Sequence, residues 1–591
     1  MFLMQNATLH CSIDAYTVGM FISVVPNRKS NPTILLRETY REDGKVLNRT
    51  LANLTQWSPE KLATLAAALD SARNDGPAGG EVIGTIGHGH VHAVLGTARR
   101  LGMDNMLLAR RCRKRDLAMA MIVGRVLNPG SKLALARELG EVGVTTLGEA
   151  LDLGPVKVEE LYQAMDWLLA HQEAIESKLA KRHLQDGALL LYDLTTVYLE
   201  GKTCELGAYG HGKEGRNDKL QIVVGLLCNR EGIPVSVQVF EGNASECLTL
   251  GGQVAKVKER FGLQQVIFVA DRGILRSARL KADLTPNRLD WITALRRPAI
   301  GELIKKGAFQ PSLFEEVDLA EITDPAYPGE RLMVCRNPIL AEDRARRRGE
   351  LLDRTDRDLK AIEDAVDRPK KPLRGAGEIG KKVGAVLAHY QTGRFYDLRI
   401  TDLCFSFHRK TGFIQEDGVL DGFYVIRTSV GPETLSSEEA VKAYKELSHV
   451  ETAFRLLKTV DLEIRPVYHV LTDRVRGHAF LCMLAYYLEW HMRRDLAPLL
   501  FAEEDPEARQ KTRDTVVSPT RATPVALAKR SKKVTSDGFT VQDFRGILKT
   551  LSNQTQQIVQ PGIPKLPTFR RTTPATPYQK RVYDLLQLTT P

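Results

Sequence analysis

Two apolar runs in this chain each end at an aspartate: ALLLYD, residues 188–193, and QVIFVAD, residues 265–271. A short apolar run without polar alternation suits a strand buried on both faces, and such a strand needs helices covering both sides of its sheet. The surrounding sequence supplies further strands and helices. KLQIVVGLLC and IPVSVQVF follow the first run, joined by the turn NREG, and predict an antiparallel meander. A helical stretch over 246–260 leads into the second run, and RSARLKADL and DWITAL then give another helix and another strand. That order predicts an α/β layer fold with a mixed sheet and flanking helices.

The flanking segments read differently. FISVVPNR and TILLRETY alternate, EDGK makes a turn, and helical spacing returns over 59–72 ahead of a loop at NDGPAGGE, so 1–105 is expected to be a small β/α region. Over 106–185, Leu117, Met121 and Leu127, then Leu161, Met165, Leu168, Ile175 and Leu179, recur at helical spacing and predict a helical N-terminal domain suited to DNA binding. The first part of the core spans 186–297. An insertion is expected over 298–420, with a charged helix at 341–366 whose Leu352, Leu359, Ile362 and Val366 make one narrow stripe, as on an exposed helix or helical hairpin. The core resumes over 421–495, from GFYVIRTS into a helix started by a capping box of Ser436 and Glu439. A basic C-terminal tail, 496–591, carries RSKKVTS and FRRTTP.

Run forward as one helix, AVKAYKELSHVETAFRLLK sets Tyr444, Glu451 and Lys458 seven residues apart, nearly two turns, with Arg455 beside them on that face. Val441, Leu447, Val450, Phe454 and Leu457 form the opposite stripe and can pack on a sheet. An aspartate at a strand end is, taken alone, usually a turn or cap residue. Asp193, Asp271 and Glu451 together offer the hard oxygen donors that Mg2+ or Mn2+ prefers. Two such ions, roughly 3.5 to 4 Å apart, can activate an attacking oxygen and stabilise a leaving oxygen at phosphorus. A carboxylate flanked by an aromatic and two cations also suits gripping phosphates.

YDLTTVYLEG, FVADRGI and the Tyr444, Glu451, Lys458 run resemble the three catalytic regions of DDE transposases of bacterial insertion sequences, in the superfamily defined by a Tyr-Arg-Glu-Lys signature. The resemblance extends through GIPVSVQVFEGNASE and RPVYHVLTDRVRGHAFLCMLAYYLE, covers most of 189–489, and takes in SKLALARELG and LYQAMDWLL upstream. It implies a ribonuclease H-like core interrupted by an insertion before the glutamate helix. It further implies catalysis and metal binding by Asp193, Asp271 and Glu451 with two Mg2+ or Mn2+ ions per site, and DNA contacts by Tyr444, Arg455 and Lys458. The implied partners are double-stranded DNA, both the element's terminal inverted repeats and the target, bound by a homodimer on paired ends for cleavage and strand transfer. Leu447 stands where the signature places its arginine, and Arg455, one turn past Glu451, is the nearest substitute.

The 83 Lys and Arg against 72 Asp and Glu leave a net charge of +11, which suits a polyanionic partner. None of the eight cysteines forms a CxxC pair, which argues against a zinc knuckle or redox site and for reduced thiols in a cytosol. MFLMQNATLHCSIDAY has no basic leader with a long apolar core, and the apolar stretch 480–490 contains Glu489 and is too short for a bilayer. A cytoplasmic protein, on the nucleoid when bound to DNA and away from membranes, is expected. GAYGHGKE places Glu214 at the Ser/Thr position of a phosphate loop, so an ATPase is rejected. His88, His90 and His92 lack a fourth ligand and read as structural, and Trp291 reads as core before it reads as a stacking platform for a base. The run Arg110, Arg111, Arg113, Lys114, Arg115 suits either phosphate contact or a solvated helix end. Two other functions compete: a metal-dependent nuclease or resolvase without strand transfer, and a transposase-derived DNA-binding protein that no longer cuts.

Overall fold

The two aspartate-ended runs lie side by side as parallel strands inside an eight-stranded sheet. The structure is a computed structural model that describes residues 19–27, 31–42, 45–71, 81–140, 144–210, 218–459, 461–560 and 568–591. The MFLMQNATLHCSIDAY segment, the tip of the EDGK turn, nearly all of NDGPAGGE and the HGKE end of GAYGHGKE lie outside the described residues.

The sheet strands are β1 (Ala188–Tyr198), β2 (Gln221–Asn229), β3 (Pro234–Glu241), β4 (Val266–Ala270), β5 (Asp290–Ala294), β6 (Leu319–Ile322), β7 (Arg331–Arg336) and β8 (Phe423–Thr428). Their order across the sheet is β6-β7-β8-β5-β4-β1-β2-β3. β1, β4 and β5 are mutually parallel, and the remaining neighbours pair antiparallel. This is the mixed α/β sheet expected of a ribonuclease H-like core. β2 and β4 are buried along almost their whole length, which is why their sequences are continuously apolar and not alternating.

Helix Thr472–Asp495 packs on β3 and against helices Arg113–Leu127 and Val158–Ala170. Protein therefore surrounds it, and its apolar residues run all round its circumference. The acid inside its apolar part, Glu489, is fully buried and accepts from Arg493 Nε at 2.5 Å, while Arg493 also meets Asp461 at 3.2 Å. Pairing is what makes a buried carboxylate tolerable. Among the described residues no helix is long and apolar enough to cross a membrane.

The chain between β5 and β8 does two things. β6 and β7 extend the main sheet over a cluster that includes Ile300, Leu303, Phe314, Leu332 and Val425. The long helix Pro338–Asp367 then packs with helix Ala376–Tyr390 and the hairpin Tyr396–Ile400/Phe405–Arg409 around a core of its own. Leu352, Leu359, Ile362 and Val366 meet Ile379, Val383 and Phe395 there, so the narrow stripe is the seam of a helical hairpin.

By packing, the chain divides into two units: Met1–Thr97, Leu133–Lys157 and Arg545–Pro591 in one, Ala98–Lys132 and Val158–Phe544 in the other. In the smaller unit the antiparallel strands Met20–Val25, Thr33–Glu42 and Lys45–Asn53 pack on helix Pro59–Ser71 through Ile34, Leu54 and Leu62. A second sheet there joins Glu81–Gly87 to Thr555–Gln560 and Phe569–Thr572. FRRT is thus a strand, with Arg570 paired to Glu149, and not part of a free tail.

Candidate active site

β1 and β4 pair in a register that sets Tyr192 opposite Ala270, so the next residues, Asp193 and Asp271, stand at matching places on neighbouring parallel strands. Asp193 is still within β1, half-buried, and opposite Leu226 of β2. Asp271 follows the last residue of β4, is exposed, and opens a turn in which its carbonyl accepts from the Ile274 and Leu275 amides. Gly273 in that turn lies against the Glu246 carboxylate, which a Cβ there would have to push aside. A hollow of about 710 Å3 beside β1, lined by Thr195, Tyr209, Asn243, Glu246 and Arg276 among others, leaves room on this flank.

The helix expected to carry Tyr444, Glu451 and Lys458 is two helices, Ser437–Lys445 and Leu447–Lys458. The first starts at the expected capping box of Ser436 and Glu439. Glu446 separates them: it is 8% exposed and takes Arg230 Nε on both carboxylate oxygens at 3.0 Å. His449 Nδ1 donates to the Arg230 carbonyl at 2.9 Å, and a Cβ at Gly232, whose φ is 85°, would come within 2.9 Å of His449 Cβ. The NREG turn between β2 and β3 therefore grips the start of the second helix, which interrupts the helical face that seven-residue spacing implied. Val441, Val450, Phe454 and Leu457 are buried as expected, whereas Leu447, next to the break, is half-buried.

The second helix packs on β1 and leaves Glu451 exposed. Tyr444 reaches the acidic strand ends from the first helix, its hydroxyl 3.5 Å from Asp271 Oδ1. Burial first, then the negative charge of Asp271 and more weakly that of Glu451, hold this phenol well above its ordinary pKa against the opposing charge of Arg272. Tyr444 is therefore a neutral donor beside the carboxylates. Arg455 is exposed and makes only a long contact, 3.5 Å, to Thr452 of its own helix, and Lys458 is half-buried at the helix end. Among the described residues no three carboxylate, imidazole or thiol side chains converge closely enough to hold one ion. The donors suit a divalent cation by type, all being hard oxygens, and the strand register makes Asp193 and Asp271 neighbours.

Residues 185–488 match the family described as Transposase DDE domain, and residues 22–78 match the IS1634 family transposase, N-terminal domain. The chain belongs to the IS1634 family of DDE transposases. No curated protein matches it. The DDE match opens just before β1 and closes inside helix Thr472–Asp495, so it contains the whole sheet and Glu451. This transposase is accordingly an enzyme of DNA transposition from an insertion sequence; it binds DNA, and its class works with divalent metal ions.

Other candidate residues of the transposase fall into structural roles. Arg111 and Arg115 pair with Asp116 at 2.8 and 2.9 Å, and Arg113 pairs with Glu160 at 2.6 Å, so most of that basic run is engaged within the protein. His88 Nδ1 is 3.0 Å from Thr146 Oγ1, His92 Nε2 donates to the Thr589 carbonyl at 2.8 Å, and burial lowers His90 to about 4, which makes these histidines structural. Trp291 is 4% exposed in β5 under the Arg427 guanidinium. The cysteines among the described residues are free thiols. Sequence reading assigned no role to Arg272, although it lies inside the FVADRGI motif directly after Asp271.

Proposed function

We propose that this transposase binds the terminal inverted repeats of its element as a homodimer on paired ends, and cuts and joins DNA with Asp193, Asp271 and Glu451 holding two Mg2+ or Mn2+ ions. The observation that carries the reading is the strand register that sets Asp193 beside Asp271, with the Glu451 helix packed on the same strand. Asp193, Asp271 and Glu451 would hold these ions through their carboxylate oxygens. When bound, they supply Lewis acidity at phosphorus and at the attacking oxygen. The protein's own share is to hold Asp193 within β1, Asp271 at the end of β4 and Glu451 on the helix packed against β1, and to keep Tyr444 protonated as a donor beside Asp271. With its Tyr444, Glu451 and Lys458 spacing, the chain fits the Tyr-Arg-Glu-Lys superfamily except at Leu447. Arg455 and Lys458 extend the grip on DNA along the glutamate helix.

The test uses amide variants and prepared ends. Asp193→Asn, Asp271→Asn and Glu451→Gln are each expected to abolish magnesium-dependent cleavage while DNA binding persists, because ligand charge is lost and shape is kept. Full cleavage by one of them removes that residue from the site. Precleaved ends bearing 3′-hydroxyls should join covalently to a target plasmid, and 3′-deoxy ends should not. Cleavage of intact ends without any joining would make the protein a nuclease.

A further inference from the structure

Between the ends of β4 and β5 lies an open cleft of about 350 Å3 lined by Asp271, Arg272, Gly273, Arg296, Arg297 and Pro298. Its arginines differ in how they are matched. Arg297 meets Asp417 at 3.2 Å and Asp421 at 3.1 Å, and the same two acids take Arg348 at 3.6 and 2.6 Å. Arg272 and Arg296 are exposed, and among the described residues neither side chain has an ion pair or a hydrogen bond. Arg344, in the first turns of the long helix Pro338–Asp367, has none either. Its guanidinium is drawn below the ordinary value by burial, then by the charge of Arg297 and, after the opposing pull of Asp421, by that of Arg272. Two arginines of the sheet strands are matched by contrast: Arg427 with Glu330 at 2.5 Å and Arg331 with Glu321 at 2.7 Å.

Two cations without an ion pair, Arg272 and Arg296, therefore line a cleft that opens at Asp271, and Arg344 comes near enough to Arg272 and Arg297 for their charges to repel. Gathering more cations than the neighbouring acids offset is unfavourable in the free protein, and the penalty shrinks when a polyanion supplies the missing charge. Arginine forks match phosphate oxygens in geometry as well as charge.

We propose that this cleft is a backbone-phosphate subsite in which Arg272 and Arg296, with Arg344 beside them, hold a phosphate of the DNA strand neighbouring the one presented at Asp271. The proposal rests on the assignment of Asp271 to the reaction centre. It goes beyond that assignment in naming the path of the strand, across the β4 and β5 ends toward the long helix.

Binding is measured without divalent ions, on duplexes carrying the element's terminal repeat with single neutral methylphosphonate linkages placed in turn on either side of the scissile position. The parent protein should lose roughly tenfold in affinity at one linkage position. A triple variant, Arg272→Ala, Arg296→Ala and Arg344→Ala, should bind the unmodified duplex more weakly and show no further loss at that position. Its salt slope should be shallower by about 0.9 per contact removed. Single Lys replacements should restore the slope more than the methylphosphonate response, since they return charge without the fork. A triple variant that keeps both the parent's salt slope and its methylphosphonate response overturns the subsite. Failure of the parent reading would look different: cleavage by Asp271→Asn, whatever the arginines do.

Discussion

The Tyr444 hydroxyl stands 3.5 Å from Asp271 Oδ1, which ties the helix ahead of Glu451 to the end of β4. The two residues lie far apart in the chain, one on the helix ahead of Glu451 and the other just past the end of β4, and the contact joins those two segments. Because the phenol is held protonated, it donates to the carboxylate that the proposed function assigns to a metal ion. Tyr444→Phe keeps the buried ring and removes only the hydroxyl. Single-turnover cleavage is expected to slow by about tenfold, equivalent to about 1.4 kcal/mol, with thermal stability nearly unchanged. A Phe variant as fast as its parent would show that the hydroxyl does not position Asp271.

Gly232 bears on Glu451 through a different route. Its φ of 85° favours glycine, and a Cβ there would press on His449 Cβ at 2.9 Å. Gly232→Ala should therefore cost about 1 to 3 kcal/mol in backbone strain and contact, and should displace the helix that carries Glu451. Cleavage should fall more than stability does, with DNA affinity little changed. If denaturant melts show the loss but cleavage remains at the parental rate, the turn stabilises the fold without positioning the glutamate.

The larger unit is expected to weaken on mild acidification. Burial, aided by neighbouring cations, lowers His183 to about 4, His469 to about 3 and His491 to about 3, and carries His478 well below its usual value. His478 Nε2 donates to the Ile464 carbonyl at 3.1 Å, a tautomer inferred from that partner, which leaves Nδ1 to accept from Lys132 Nζ at 3.4 Å. Lys132, Arg125 and His469 all oppose a proton on this ring, and Cys482 is its remaining polar neighbour. A depressed folded pKa contributes stability that is complete above about 6.5 and lost as pH falls toward the folded values. The melting temperature should therefore drop between pH 7 and pH 5, above most of the carboxylate range, and His478→Gln should shrink the drop. A melting temperature that is flat or rising over that interval contradicts the buried neutral imidazoles.

The sequence by itself determined the centre of the molecule. Strands covered on both faces must be apolar throughout, so β1, β2 and β4 were legible from composition alone, and with them Asp271 just past the end of β4, whereas Asp193, read as a strand end, lies in the middle of β1. The capping box at Ser436 and Glu439 and the stripe Leu352, Leu359, Ile362, Val366 were legible for the same reason: each is a local pattern whose period reports local structure. Tertiary structure alone decided the rest. The break at Glu446 depends on Arg230, which reaches it from a turn far earlier in the chain, and nothing in the helical period of AVKAYKELSHVETAFRLLK announces it. β6 and β7 joined the main sheet because the β8 edge was open to β7, and Thr555–Gln560 paired with Glu81–Gly87 across most of the chain's length. The gathering of Arg272, Arg296 and Arg344 is of the same kind. Periodicity records which side of an element is buried, whereas which distant edges and charges meet is settled only when the whole chain has folded.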